Sequence, residues 1–159
     1  MRAVGAPLSS KKTIGLVAVA VASLALLAAG CGGGGGKALT KDEYASKLSQ
    51  ICKDSNAKLN ALGLADMATF KAKGDEAVKI GEDTVKEFKA LKAPDEVKDA
   101  AKTFTDSADQ IVQDLKNAAE AAKKGDGAAF TATLTSAQNH GKANDGAATQ
   151  IGATECVSG

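Results

Sequence analysis

The chain contains few residues of the types that do chemistry: three cysteines and a single histidine. The cysteines are Cys31, Cys52 and Cys156, and the histidine is His140. A lone histidine with no cysteine near it in sequence cannot build a multi-histidine metal site. The chain also lacks the G-x-S-x-G, H-E-x-x-H, P-loop and Rossmann glycine patterns. We therefore expect no catalytic residue, no metal and no cofactor, and we expect His140 to lie on a helix surface rather than to handle protons.

Acidic residues occur in adjacent pairs at positions 42–43, 75–76, 82–83 and 95–96. A di-iron bundle needs Glu-x-x-His motifs, which the chain lacks, so these pairs predict solvated faces and helix-start charges. The 159-residue chain has a net charge of +1; three of its 20 basic residues precede Cys31, which leaves 17 against all 19 acidic ones. With four Phe, one Tyr and no Trp, this balance gives no reason to expect nucleic acid as a partner.

The first 30 residues have the organisation of a secretory signal. Residues 1–12 are basic and free of acids, and residues 14–29 carry no charge. This apolar run of about 16 residues is short for a bilayer-spanning helix, which needs roughly 20. Small residues fill positions 28–30 just before Cys31, as a signal peptidase requires.

Residues 1–36, with the letters LLAAGC followed by five glycines, resemble a bacterial lipoprotein signal with its lipobox. The family pattern prefers Leu three residues before the cysteine, where this chain has Ala28 with two leucines just upstream. The resemblance implies cleavage between Gly30 and Cys31. It also implies that the Cys31 thiol receives a diacylglyceryl group, and acyl chains such as palmitate then hold the protein stably in membrane lipid.

We therefore expect a signal peptide at 1–30, a lipidated cysteine with a glycine-rich tether at 31–39, and a helical domain at 40–159. A coil of five glycines reaches only about 12 Å, so the domain stays close to the lipid surface. The expected location is the extracytoplasmic face of a bacterial cell membrane. An uncleaved transmembrane anchor and an ordinary signal cut elsewhere are the alternatives, and both also place the domain outside the cytoplasm.

Beyond the tether, apolar residues follow helical spacing in four stretches. The first helix begins after Thr40, which forms a capping box with the glutamate three residues on, and ends at Gly63. The second runs from about 66 to 92. Gly74 and Gly81 weaken this helix, unless they let another helix approach closely or mark a kink near Gly74.

The third helix has the cleanest apolar pattern of the chain, opening at Pro94 and stopping at Gly125. The fourth extends to Ile151, but its many threonines and glycines predict fraying or a bend near positions 145–146. Asn144 falls on the apolar stripe of this helix. A buried amide there would fix the packing register, or it would face a small cavity.

Four helices with short connectors predict an all-α fold, an antiparallel up-down four-helix bundle. Its core would be thin, because many of the apolar positions are alanines.

If Cys31 is lipidated, two cysteines remain in an oxidising compartment. The first and fourth helices are neighbours in such a bundle, so we predict a Cys52–Cys156 disulfide that contributes on the order of 4–5 kcal/mol. The alternative is two unpaired thiols.

The stretch YASKLSQICKDSNAKLNAL at 44–62 and the ending IGATEC at 151–156 are similar to small alanine-rich lipoproteins of actinobacteria. Those proteins share the layout of lipobox, tether, a helix carrying "IC", a helical body and a terminal cysteine. The resemblance implies a helical, disulfide-closed domain and no assigned activity.

Two functions follow as hypotheses. The first is a non-enzymatic interaction module of the cell envelope, which binds a partner protein, a lipid or a cell-wall component near the membrane. An apolar groove between the second and third helices would support it. The second is a binder or carrier of a small ligand or lipid, with an apolar pocket lined by Phe70, Phe88, Phe104 and Phe130. An enzyme is least favoured, because the sequence offers no nucleophile–base set.

Overall fold

The computed structural model describes residues 39–158, which form four α-helices and two short 3₁₀ turns. The helices are α1 (Lys41–Leu62), α2 (Met67–Ala90), α3 (Lys98–Lys124) and α4 (Gly127–Ile151). The 3₁₀ turns are Asp95–Val97 before α3 and Thr154–Cys156 after α4. No strand occurs in this range, and the predicted all-α four-helix bundle is confirmed.

The expected signal peptide, the cleavage site between Gly30 and Cys31, the lipidated Cys31 and the glycine tether lie outside the described residues. Within residues 39–158, no helix combines the length and the apolar character needed to cross a membrane.

Local sequence signals set both ends of α1. The Thr40 side chain accepts a hydrogen bond from the Glu43 backbone N–H, and the Glu43 carboxylate accepts one from the Thr40 N–H, which completes the predicted capping box. The helix ends at Gly63, whose φ of 62° is the left-handed conformation that favours glycine.

The α2 helix continues without interruption through both of its glycines. A Cβ built on Gly74 would lie 2.7 Å from the Cβ of Ala119, and one on Gly81 would lie 3.0 Å from a methyl group of Val112. Of the three readings of these glycines, the structure therefore supports the close approach of another helix, which is α3.

One expectation about a helix start is wrong. Pro94 precedes a 3₁₀ turn, and the α-helix begins only at Lys98, because residues 95–97 adopt the tighter hydrogen-bonding pattern. No fraying is seen at positions 145–146, since helical structure continues to Ile151. There Asp145 also accepts hydrogen bonds from the backbone N–H and the hydroxyl of Ser158, which ties the C-terminal tail back onto α4.

The helices pack unequally around the bundle. The α3 helix packs extensively against both α2 and α4, whereas α1 packs against α2 and the tail turn Thr154–Cys156 and hardly touches α4. The larger core cluster includes Tyr44, Leu48 and Ile151, each almost fully buried. A second, smaller cluster lies around Phe70 and Phe130. The seam between α1 and α4 is therefore the least tightly closed side of the bundle.

Candidate functional site: an apolar cavity beside the disulfide

The predicted disulfide is present and closes the seam between α1 and the tail. The Sγ atoms of Cys52 and Cys156 are 2.05 Å apart and their Cα atoms 5.1 Å apart, across a sequence separation of 104 residues. Both cysteines are buried. A hydrogen bond of 3.4 Å from the Asn56 amide to the Glu155 carbonyl joins the same two segments. The disulfide therefore holds the turn Thr154–Cys156 against α1, on the side where α4 makes few contacts with α1.

A cavity of about 140 Å³, partly open to solvent, lies next to this disulfide and is bounded by α1, α2, α3 and Asn144 of α4. Most of its wall is apolar. The lining residues are Cys52, Ser55, Asn56, Leu59, Gly81, Thr84, Val85, Phe88, Phe104, Ala108, Ile111, Val112, Leu115, Asn144 and Cys156. Its volume is close to the roughly 150 Å³ that accommodates a molecule as small as benzene, although this cavity is partly open to solvent and has polar groups in its wall.

The four phenylalanines do not line one pocket, and this expectation is wrong. Phe88 and Phe104 border the cavity and pack edge to face, with ring centroids 4.9 Å apart. Phe70 and Phe130 form a separate edge-to-face pair, with centroids 5.1 Å apart, in the second core cluster. The separation arises because each pair fills its own core cluster of the long bundle rather than one common chamber.

Asn144 satisfies both readings made from the sequence. Its side chain is buried, and its Nδ2 donates to the Phe104 carbonyl at 2.9 Å and to the Ser107 hydroxyl at 3.1 Å, so it fixes α4 against α3. The same residue lines the cavity. On the opposite side of the cavity wall, the Ser55 and Thr84 hydroxyls lie 2.9 Å apart and join α1 to α2.

The expectation that His140 is simply a surface residue is wrong, because its side chain is partly buried against Asp114. Its side chain is 35% exposed, and its Nδ1 lies 2.8 Å from a carboxylate oxygen of Asp114, whose side chain is only 9% exposed. The sequence reasoning did not identify Asp114 as a partner of His140, although helical spacing indicates it. Ser107 and Asp114 are seven residues apart on α3, and His140 and Asn144 are four apart on α4, which is the spacing of one helix face.

The groove between α2 and α3 combines ion pairs with apolar surface. Lys89 pairs with Asp109 and Lys116 pairs with Glu82, each at 2.8 Å, and Val85 and Val112 lie between these charged side chains in the lining. The hydrogen bond from Lys116 lowers the pKa of the Glu82 carboxyl. A surface of exposed ion pairs contributes little binding energy by itself, so the cavity is the stronger candidate site.

The acidic pairs behave as a solvated surface. Asp75 pairs with Lys123 at 2.6 Å, and Asp83 pairs with Lys79 and Lys86, whose hydrogen bonds lower the pKa of the Asp83 carboxyl. Within residues 39–158, no group of three or more histidine, cysteine or carboxylate side chains is placed to hold a metal ion.

In comparisons with known proteins, the chain matches no protein-family model, no curated protein and no solved structure.

Proposed function

We propose that this protein is a lipid-anchored, extracytoplasmic protein of a bacterial cell envelope whose helical domain binds a small apolar ligand without chemical conversion. The observation that carries the ligand-binding part is the cavity of about 140 Å³ beside the Cys52–Cys156 disulfide. Its volume favours a ligand, or a part of a ligand, no larger than one aromatic ring. A whole lipid is too large, because pockets for drug-sized ligands measure about 300–1,000 Å³.

Apolar side chains around a cavity that is partly open to solvent forgo burial energy, so such a cavity in a small bundle needs an explanation. Each unfilled methyl-sized space costs about 1 kcal/mol, and natural cores are otherwise close-packed. The core of this protein is rich in alanine, and three leucine or isoleucine side chains at the cavity, Leu59, Ile111 and Leu115, are only partly buried. A ligand that covers this apolar surface would recover part of the lost burial energy.

The cavity is tested by filling it. Ala108 lines the cavity, and Ala108→Leu adds three carbon atoms to its wall. The matched control is Ala72→Leu, the same substitution at an exposed position of α2. We expect benzene to bind to the native chain and to Ala72→Leu in titration calorimetry, and not to Ala108→Leu. If Ala108→Leu binds benzene as the native chain does, the cavity is not the site; if no form binds it, the proposed ligand class is wrong.

The anchor is proposed from the sequence of residues 1–36 and has its own test. The intact mass of the protein, extracted gently from its native membrane, should correspond to a chain that begins at Cys31 and carries acyl groups. A mass that retains residues 1–30 would contradict the lipid anchor. It would favour the transmembrane alternative and would leave the cavity argument untouched.

The interaction module remains a second hypothesis, in which the partner is an envelope protein or a cell-wall component. The groove between α2 and α3, which would support it, carries two ion pairs beside its apolar surface. The cavity offers a partner another contact, for example by insertion of one apolar side chain. Cross-linking of the native chain separates these occupants, because only a macromolecular partner gives a cross-linked product, and loss of that product in Ala108→Leu would assign the partner to the cavity.

A further inference from the structure

The polar atoms at the cavity wall are unequally divided between hydrogen-bond donors and acceptors. This division bears on the chemistry of the ligand that we have proposed, and the inference below therefore depends on the proposed function. Two buried residues of the wall decide it, Asn144 of α4 and Ser55 of α1, which are 9% and 7% exposed. Asn56 also borders the cavity but is exposed, so water can satisfy its amide.

The NH₂ group of the Asn144 amide is hydrogen-bonded, whereas its carbonyl oxygen is not. Its Nδ2 donates to the carbonyl of Phe104 and to the hydroxyl of Ser107. The amide orientation is determined by chemistry, because a backbone carbonyl only accepts and must face the NH₂ group. The Oδ1 atom has no hydrogen-bond partner among residues 39–158, and because no unpartnered side-chain polar atom in this range is fully buried, it is accessible to water.

The hydroxyl pair of Ser55 on α1 and Thr84 on α2 also leaves hydrogen-bond acceptors unused. The Thr84 Oγ1 lies 2.9 Å from Ser55 Oγ and 2.7 Å from the carbonyl of Ile80. Two hydroxyl protons serve these two contacts, and lone pairs on Ser55 Oγ remain unused. Both inner polar sites therefore offer acceptor atoms.

We propose that the cavity ligand carries a hydrogen-bond donor: an apolar body of about one ring with a single hydroxyl, which donates to Asn144 Oδ1 or to Ser55 Oγ. Ligands whose polar atoms are only acceptors, such as ethers, esters and carboxylates, would face acceptors across the wall and lose the hydration of their own oxygens. A wholly apolar ring fits the cavity but would displace water from the unused acceptors and leave them without a partner. The wall thus selects small alcohols and phenols.

The test compares two ring compounds of almost equal size, phenol and fluorobenzene, on the full chain in phospholipid nanodiscs. Fluorobenzene is followed by its ¹⁹F signal, and phenol is measured by competition with it. Ala108→Leu in the same nanodiscs measures the partition of each compound into the lipid, which is subtracted. In a cavity without an acceptor, burial of the unpaired phenol hydroxyl would weaken binding by about tenfold or more.

We expect phenol to bind about three- to tenfold more tightly than fluorobenzene, because its hydroxyl gains an acceptor that the fluorine cannot use. Phenol binding weaker than this range overturns the donor requirement and leaves the proposed binding of apolar molecules intact. Failure of both compounds to bind overturns the proposed function together with this inference.

Two substitutions then assign the accepting atom. Ser55→Ala removes one acceptor at a helical position where alanine is well tolerated, and Asn144→Ala removes the other. The accepting residue is the one whose loss weakens phenol binding by about three- to tenfold and leaves fluorobenzene binding unchanged. If both variants fold and neither changes the ratio of the two affinities, the assignment to these residues is wrong. If Asn144→Ala does not fold, the comparison on the native chain still decides the donor requirement.

Discussion

Glycine-to-alanine substitutions in α2 and α4 should have opposite effects on stability. Gly74 and Gly141 both lie inside helices, where alanine is favoured over glycine by about 0.8–1 kcal/mol. They differ in what the added methyl group meets. At Gly141 nothing lies within 4 Å, whereas at Gly74 the new Cβ would lie 2.7 Å from the Cβ and 3.3 Å from the Cα of Ala119.

The size of the difference follows from these distances. Carbon atoms pack best at about 3.5–4.0 Å, so α2 and α3 must separate locally by roughly 1 Å to admit a methyl group at Gly74. The obstructing atoms belong to the Ala119 backbone and its Cβ, which cannot rotate away. Overpacking of this kind costs about 1–3 kcal/mol. We therefore expect Gly141→Ala to stabilise the protein by about 1 kcal/mol and Gly74→Ala to be about 1–3 kcal/mol less stable than Gly141→Ala.

Urea denaturation followed by circular dichroism measures both free energies of unfolding at an unchanged m value. The double variant Gly74→Ala with Ala119→Gly is the matched control, because it removes one of the two colliding methyl groups. A favourable coupling energy of about 1 kcal/mol or more is expected in the resulting cycle. If Gly74→Ala stabilises the protein as much as Gly141→Ala does, the close packing of α2 on α3 is refuted.

Three further predictions concern the disulfide, the buried carboxylate and the alkaline limit of stability. Replacing Cys52 and Cys156 by alanine should lower the free energy of unfolding by about 4–5 kcal/mol, because the bridge closes a loop of 104 residues; equal urea midpoints with and without the bridge would contradict this. Loss of the imidazole in His140→Ala leaves the Asp114 carboxylate buried without a partner and should cost about 1–3 kcal/mol. Asp114→Asn in that background should restore most of the loss, and no restoration would mean that the buried charge is not the cause. Burial raises the pKa of Tyr44 above its ordinary 10.0. The stability that Tyr44 contributes is therefore complete below about pH 10 and is lost as the pH rises through the higher folded-state pKa, so Tyr44→Phe should show a shallower alkaline decline in melting temperature; identical declines would argue against a buried hydroxyl.

The helix ends show what a local sequence pattern can predict. The capping box of Thr40 and Glu43 and the stops at Gly63 and Gly125 appear as predicted, because each depends on residues within one turn of the helix end. The predicted start of α3 at Pro94 is wrong, because a 3₁₀ turn follows Pro94 and the α-helix begins at Lys98. There the local signal is compatible with an α-turn and with a 3₁₀ turn, and the packing of Val97, which is buried, accompanies the tighter form.

The cavity and the polar contacts across α3 and α4 depend on relations between helices, and they were predicted less well. Asn144 was identified because an amide interrupts an apolar stripe. The pairing of His140 with Asp114 required the rotation of α3 against α4, which no single helix specifies. The four phenylalanines were assigned to one pocket for the same reason: helical spacing places a residue on a face but does not give its height along the bundle.

The cavity results from unequal spacing of the helices. Glycines at positions 74 and 81 bring α2 close to α3, and alanines allow α4 to pack along α3. The α1 helix is left without an equivalent partner on its α4 side, and the tail turn Thr154–Cys156 occupies only part of that space. The disulfide therefore has two consequences that cannot be separated: it stabilises a core with few large side chains, and it holds α1 over a space that those side chains do not fill. A ligand that binds only the folded chain would add stability in proportion to the logarithm of its concentration, so the bound form would be more stable than the core alone allows.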